Sequence, residues 1–309
     1  MSAQALGEAL AKPQRTLAGI ALAVAAVSCF GALDTTIKFV STGVPILMAL
    51  WFRFGFQMLA TAAVFAPSRG PALLRTAHPR FQALRGLLLV SSSGLAYLSL
   101  RYTPVAEFTA IISITPLVIT LMAAYRLKER VSALRWALVA GGFVGTLIVI
   151  RPHQEDFNWA LMLPLLLVAT SAWFQILTSK MARTESPVTM HFYTGLVGFA
   201  AASIALPWVW APLGSSLLWW CILLICLLGS AGHFLLILAY QRASPAVLTP
   251  YLYAQIAAAM LGGWIVFAQV PDGWSLAGIA MIAFCGAVGA WLTMRESRAV
   301  AVMAAPTDT

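Results

Sequence analysis

The chain has 309 residues, 61% of them hydrophobic and 9% charged, with a mean hydropathy of +0.87. That much apolar surface cannot be enclosed in one water-soluble core, which excludes a soluble globular protein. The excess of 19 Lys and Arg over 10 Asp and Glu comes without any nucleic-acid motif, and is the kind of excess that orients the loops of a membrane protein.

In chain order, residues 1–15 are polar and read as a short cytoplasmic tail. Apolar runs of about 20 residues, the length a hydrocarbon layer of about 30 Å demands, follow at 16–39, 44–66, 81–100, 104–125, 131–150, 159–180, 187–210, 217–240, 245–269 and 274–294. They are continuous rather than alternating, which predicts helices and not barrel strands. The expected fold is therefore all-α with ten transmembrane helices, closed by a second cytoplasmic tail at 295–309. The loops are too short to hold a domain outside the membrane.

One order of features recurs after roughly 140 residues. The step Arg101-Tyr102, an apolar run to Tyr125, the knot Arg126, Lys128, Glu129, Arg130 and a second run to Ile150 are echoed by Gln241-Arg242, a run to Gln269, the break Pro271-Asp272-Gly273 and a last run to Met294. Hydropathy repeats more than letters do, although Ala106/Ala246, Thr109/Thr249 and Leu121/Leu261 match without gaps. The pattern predicts two five-helix halves, 16–150 and 159–294. With the N-terminus inside, fifteen of the 19 basic residues face the cytoplasm, Arg85 among them; Lys38, Arg101 and Arg151 face outward and Arg53 lies within a span. Five being odd, the second half enters from the opposite side, and Gln269 stands outside where Glu129 stood inside. Inverted repeats of this kind belong to transporters whose halves rock about a midplane site.

The ten-span order, Arg53-Phe54 in the second span, Tyr102-Thr103 before the fourth, Pro116 within it, Lys128-Glu129-Arg130 after it and Gly141, Gly142 and Gly145 in the fifth resemble the drug/metabolite transporter superfamily in its EamA-type ten-helix branch. The resemblance implies a transporter, and within the branch the chain looks most like bacterial exporters of amino acids, including aromatic ones. It departs from the family in having Phe30-Gly31 where Trp-Gly is usual, and in lacking a Glu-Arg stop in the second half.

Polar groups inside hydrocarbon are costly and so are functional candidates. Asp34, Lys38, Arg53 and Glu107 lie in the outer half of their spans, as an external gate or a charge pair for a zwitterion, or as a structural ion-pair network. His233, in the inner half of the eighth span beside Gly229, Ser230 and Gly232, suits either proton coupling or a helix-packing hydrogen bond; His191 also qualifies by position. Pro116 and Pro250 kink the fourth and ninth spans and free backbone carbonyls. Around them Gln57, Ser91, Tyr97, Ser113, Trp173, Gln175, Tyr251, Tyr253, Gln255 and Trp264 offer the aromatic faces and uncharged hydrogen-bonders that an amphiphilic substrate needs, while Trp208, Trp210, Trp219 and Trp220 read as an interfacial belt. Only Arg53 counts as a deep cation, which disfavours sugar phosphates and nucleotide sugars.

No converging nucleophiles, paired carboxylates, metal ligands or glycine-rich phosphate loop support an enzyme, and no cofactor is expected. Cys29, Cys221, Cys226 and Cys285 read as free buried thiols, and the small residues Gly141/Gly145 and Gly286/Ala290 as helix-packing positions, supports or a dimer face. The expectation is a multi-pass carrier of the bacterial inner membrane, a monomer whose partners are the lipid bilayer and a small neutral metabolite. Uniport and proton-coupled antiport both stand open.

Overall fold

The computed structural model describes residues 3–41, 43–102, 111–129, 131–150, 162–268, 270 and 272–303. They form α1 (Ala3–Val40), α2 (Ile46–Arg69), a 3-10 turn (Gly70–Leu74), α3 (Pro79–Tyr102), α4 (Thr115–Arg126), α5 (Ala133–Ile150), α6 (Met162–Met181), α7 (Pro187–Val209), α8 (Ser216–Arg242), α9 (Pro245–Leu252), α10 (Ala254–Phe267) and α11 (Gly273–Met303), with no strand among the described residues. In hydrocarbon a helix satisfies its backbone within one segment, so apolar runs of this length have no other stable form. Seven helices are long and apolar enough to cross a membrane, and Ala133–Val149 is a shorter apolar helix. Polar and proline residues sit at the ends: the Ser215 hydroxyl accepts from the Leu218 N–H, and Pro187 and Pro245 open α7 and α9, where a missing N–H costs nothing.

Packing follows a two-fold pattern. Helix α1 lies on α8 and α3 on α6; α2 lies on α7, α4 on α9 and α5 on α11. Exchanging α1 with α6, α2 with α7, α3 with α8, α4 with α9 and α10, and α5 with α11 maps this set of neighbours onto itself. The spans equivalent under the exchange are also interrupted alike. The ninth breaks at Tyr253, between α9 and α10, and a turn at Ser113–Ile114 precedes α4. Ser113 and Tyr253, 140 residues apart, meet where the Tyr253 hydroxyl donates to the Ser113 carbonyl at 3.3 Å.

Close approach uses glycine where backbones touch. On α5, a methyl built on Gly145 would lie 3.0 Å from the Gly278 carbonyl of α11, and one on Gly141 2.7 Å from Cys285 Sγ. These glycines are therefore occupied by contact within the chain. On α7, a methyl on Gly195 would lie 2.7 Å from the Met58 nitrogen of α2. Backbone cannot yield as a side chain can, so Gly195→Ala is expected to destabilise the fold by about 1–3 kcal/mol, read as a lower melting midpoint of the detergent-purified protein.

The two ends of the bundle differ. Call the side where α1 starts near and the side where it ends far. On the near side α9 buries six of its eight residues, whereas α10, running to the far side, buries none of its fourteen. Helix α1 shows the same change: Ala23 and Val27 are buried, while Asp34 and Lys38, which continue that face, are exposed. On the other face of α1 burial continues to the far end, where Leu33 and Val40 pack with Met48 and Ile225, so the change is confined to the α10 side.

Candidate transport pathway

At the far side α1, α2, α3, α8 and α10 bring a group of polar side chains together. Gln255 Nε2 donates to Asp34 Oδ2 at 2.8 Å. Arg53, eight residues into α2 and 4% exposed, sends Nη1 to within 3.4 Å of Ser93 Oγ on α3 and lies against Gly229 on α8, where a methyl would be 2.5 Å from its Nε. Tyr97, half-buried, follows one turn after Ser93 on the same face. The structure thus gathers Asp34, Arg53 and Gln255, with Ser93 rather than Ser91 as the serine that meets the guanidinium. Lys38 does not pair with Asp34; its ammonium lies 4.9 Å from the Phe267 ring centroid. Glu107 is outside the described residues.

Beneath this group is a buried polar layer. Gln57 donates to the His191 carbonyl at 2.9 Å and lies 3.3 Å from His191 Nδ1, while His191 Nε2 is 3.0 Å from Ser230 Oγ. With Gln57 donating to Nδ1, Nε2 carries the hydrogen and donates to Ser230. His233 is enclosed between the rings of Phe30 and Phe174, at centroid distances of 4.7 and 5.8 Å, and its Nδ1 has no partner. Lower still is Arg85. It is fully buried, bonded through Nη2 to the Met190 carbonyl and Thr194 hydroxyl and through Nη1 to Thr178 at 3.5 Å, with its guanidinium 5.6 Å from the centre of Phe174. This corrects the charge count. Arg85 is a second deep cation, not a loop residue, because it falls more than one turn inside α3 and faces α6 and α7.

The remaining sequence candidates lie elsewhere. Tyr253 is buried against Gly142 at the break in the ninth span, and Tyr251 is buried with its hydroxyl next to Gly289 of α11. Gln175 accepts from the Tyr240 hydroxyl at 2.7 Å, toward the near side. Ser91, Trp173 and Trp264 sit on exposed stripes with Leu87 and Leu98, with Leu166, and with Leu261 and Ile265. Trp264 is half a turn round α10 from Gln255, and Trp173 stacks under Arg126 at 5.1 Å. Such aromatic faces suit the lipid boundary.

The near side is closed by two carboxylates and the linker between α6 and α7. Glu129 accepts from Arg183 Nη2 at 3.2 Å and from the Ala246 N–H at the start of α9 at 3.4 Å. Lys128 at φ +54° turns the chain to aim it, a conformation costing a non-glycine residue about 1–2 kcal/mol. Glu185, buried, accepts from the Thr76 hydroxyl and the Ala77 N–H. Gln241 donates to the Ala182 carbonyl, and Arg69 to Ser186. Each bond except Gln241's joins the first half to the second. Among the described residues no group of three or more His, Cys, Asp or Glu can hold a metal ion.

The EamA-like transporter family model matches this chain twice, at residues 17–151 and 158–292. The chain belongs to the EamA-like transporter family. It is a multi-pass membrane transporter built on a duplicated unit, and not an enzyme. An S-adenosylmethionine uptake transporter of Rickettsia felis is 28% identical over 274 residues, 86% of this chain and 90% of the relative. A riboflavin transporter of Rhizobium johnstonii is 28% identical over 278 residues, 88% and 90%; the pseudopaline exporter CntI of Pseudomonas aeruginosa is 23% identical over 270, 85% and 93%. A crystal structure with a TM-score of 0.74 covers 92% of this chain and 99% of its own at 18% identity, a likeness of fold. The relatives' names include both uptake and export of small molecules, and no amino-acid exporter is among these three.

Reading the spans by hydropathy passed over Arg85 as a deep cation, Phe174 and the bonds that Glu129 makes. Arg85 carried the one available signal: a charge inside the run 81–100. The positive-inside count absorbed it.

Proposed function

We propose that this transporter is a ten-helix carrier of the bacterial inner membrane, with inverted halves at 16–150 and 159–294 and both termini in the cytoplasm. It exports small, largely neutral metabolites, amino acids and aromatic ones in particular, and works as a monomer. On this reading α3 and the span ending in α4 complete the crossing helices, the near side faces the cytoplasm, and the described state is open to the outside. The observation that carries the reading is the group Asp34, Gln255 and Arg53 toward the far side above a near side tied across the halves through Glu129 and Glu185. A substrate's polar ends meet Asp34 and Arg53, with Gln57 and His233 below them. The breaks at Ser113 and Tyr253 give the fourth and ninth spans a place to bend as the halves rock.

The S-adenosylmethionine and riboflavin transporters among the relatives favour a second reading, a larger ring-bearing substrate. Proteoliposomes decide between them. Radiolabelled phenylalanine, S-adenosylmethionine and riboflavin are each offered with and without a pH gradient. Saturable phenylalanine uptake supports the first reading, and its absence beside uptake of either other compound replaces it with the second. Uptake that ignores the gradient makes the carrier a facilitator; uptake that follows it directs mutagenesis to Asp34, Glu107 and His233.

A further inference from the structure

Two arginines lie deep in this bundle with only neutral partners. Arg53 is 4% exposed and Arg85 fully buried; their acceptors are the Ser93 hydroxyl for one and Thr178, Thr194 and the Met190 carbonyl for the other. Among the described residues neither has a carboxylate in salt-bridge reach, and Asp34 is held by Gln255. The charge of Asp34 reaches Arg53 only from beyond salt-bridge distance, and no acid among the described residues is placed against Arg85; buried cations so poorly compensated are expensive, so the bundle is electrostatically incomplete by itself. In both side chains Nε also lacks a partner, and Nε is half of the edge with which a guanidinium grips a carboxylate by two parallel bonds.

Their depths are matched. Arg53 is the eighth residue of α2 and Arg85 the seventh of α3, consecutive antiparallel helices of 24 residues each. At 1.5 Å per residue each backbone position is about 10 Å from the opposite end of a helix about 36 Å long. Between them lie Phe174, His233, Phe30 and the Gln57–His191–Ser230 chain, aromatic faces and neutral hydrogen-bonders with no acid.

We propose that Arg53 and Arg85 are two stations of a carboxylate path through the carrier. Arg53 receives the carboxylate of a small zwitterion from the far side, where Asp34 takes its ammonium, and Arg85 holds it when the near side opens. This rests on the reading of the far-side polar group as the substrate entrance and narrows the substrate to compounds bearing a carboxylate.

The test compares wild type with Arg53→Gln, Arg85→Gln and Arg85→Lys, using phenylalanine and phenylalaninamide in proteoliposomes. It adds melting of the purified carrier in acetate, benzoate, succinate or the matching amides at constant ionic strength. Wild type is expected to prefer the acid over the amide by about ten-fold in kcat/KM and to be stabilised by at least one carboxylate but by no amide. Either glutamine variant erases the preference and the protection, and lysine at 85, a cation without the fork, restores part of both. Equal loss of acid and amide transport with a lowered melting midpoint would make Arg85 a mere tie between α3, α6 and α7, and overturn the proposal. If neither phenylalanine compound moves, the amino-acid reading falls while the melting series still decides here. Protection by a carboxylate that Arg85→Gln abolishes upholds the path, and no carboxylate protection in wild type ends it.

Discussion

Alanine in place of Glu129 is expected to unlatch the near side. Glu129 is the point where the stop after α4, the α6–α7 linker and the first turn of α9 are joined, through Arg183 and the Ala246 N–H. Its side chain is 13% exposed against 57% for Arg183, so the bond to the Ala246 N–H is the better shielded of the two and the ion pair is open to water on the arginine side. Hydrogen bonds to a charged group contribute about 1.5–3 kcal/mol, and removing these shifts the balance between near-closed and near-open forms by about ten-fold or more. Thr249, fully buried on α9 and 2.9 Å from Thr120 of α4 across that seam, reports the change. With Cys29, Cys221, Cys226 and Cys285 replaced, a cysteine substituted at Thr249 will react with a membrane-impermeant maleimide from the near side about ten-fold faster in the Glu129→Ala background. Unchanged labelling would remove Glu129 from the closure.

The second large effect is expected on α1. A methyl on Gly31 would lie 2.7 Å from Ala258 Cβ, 2.8 Å from the Ala259 nitrogen and 2.9 Å from the Gln255 carbonyl. Two of those three neighbours are backbone, so α10 must move off α1, and Gln255 moves with it. Gly31→Ala therefore breaks the Gln255–Asp34 bond and is expected to reduce transport by about ten-fold or more, an overpacking cost of about 1–3 kcal/mol taken at the site. Gly94→Ala is the control. It lies in a span as well, but a methyl there meets nothing within 4 Å, and its transport stays at the wild-type level. Equal activity of the two variants would show that the α1–α10 contact does not set the site.

The all-helical fold and seven of the long apolar spans were legible because hydropathy reports directly on what lipid permits. The repeat at about 140 residues was legible too, although the contact between its equivalent positions Ser113 and Tyr253 was not. Nor was side-chain direction. Trp173 and Trp264 lie in the middle of apolar runs, where distance from the ends suggested a site, yet period and neighbours turn them to exposed stripes beside Leu166 and Leu261. Ser91, Ser92 and Ser93 are consecutive, so they point about 100° apart round α3, and only Ser93 reaches Arg53; Ser92 instead donates to Thr170 of α6. Tyr251 and Tyr253 pack toward α11 and α5 because glycines there leave flat surfaces for rings. Arg85 shows the limit of counting charges: the rule assigns a residue to a side of the membrane by its place in sequence, while three neutral acceptors on α6 and α7 hold this one inside.

Alternation between the two ends is the centre of this account, and distances between spin labels test it most directly. One pair, Tyr102 at the end of α3 and Val266 at the end of α10, spans the far side; the other, Arg126 and Arg242, spans the near side, and all four positions are exposed and divided between the halves. Wild type should give a long far-side distance and a short near-side one. Glu129→Ala, or a transported substrate, should shorten the first and lengthen the second together. Distances that stay fixed in a protein shown to transport, or that change at one end alone, would contradict it.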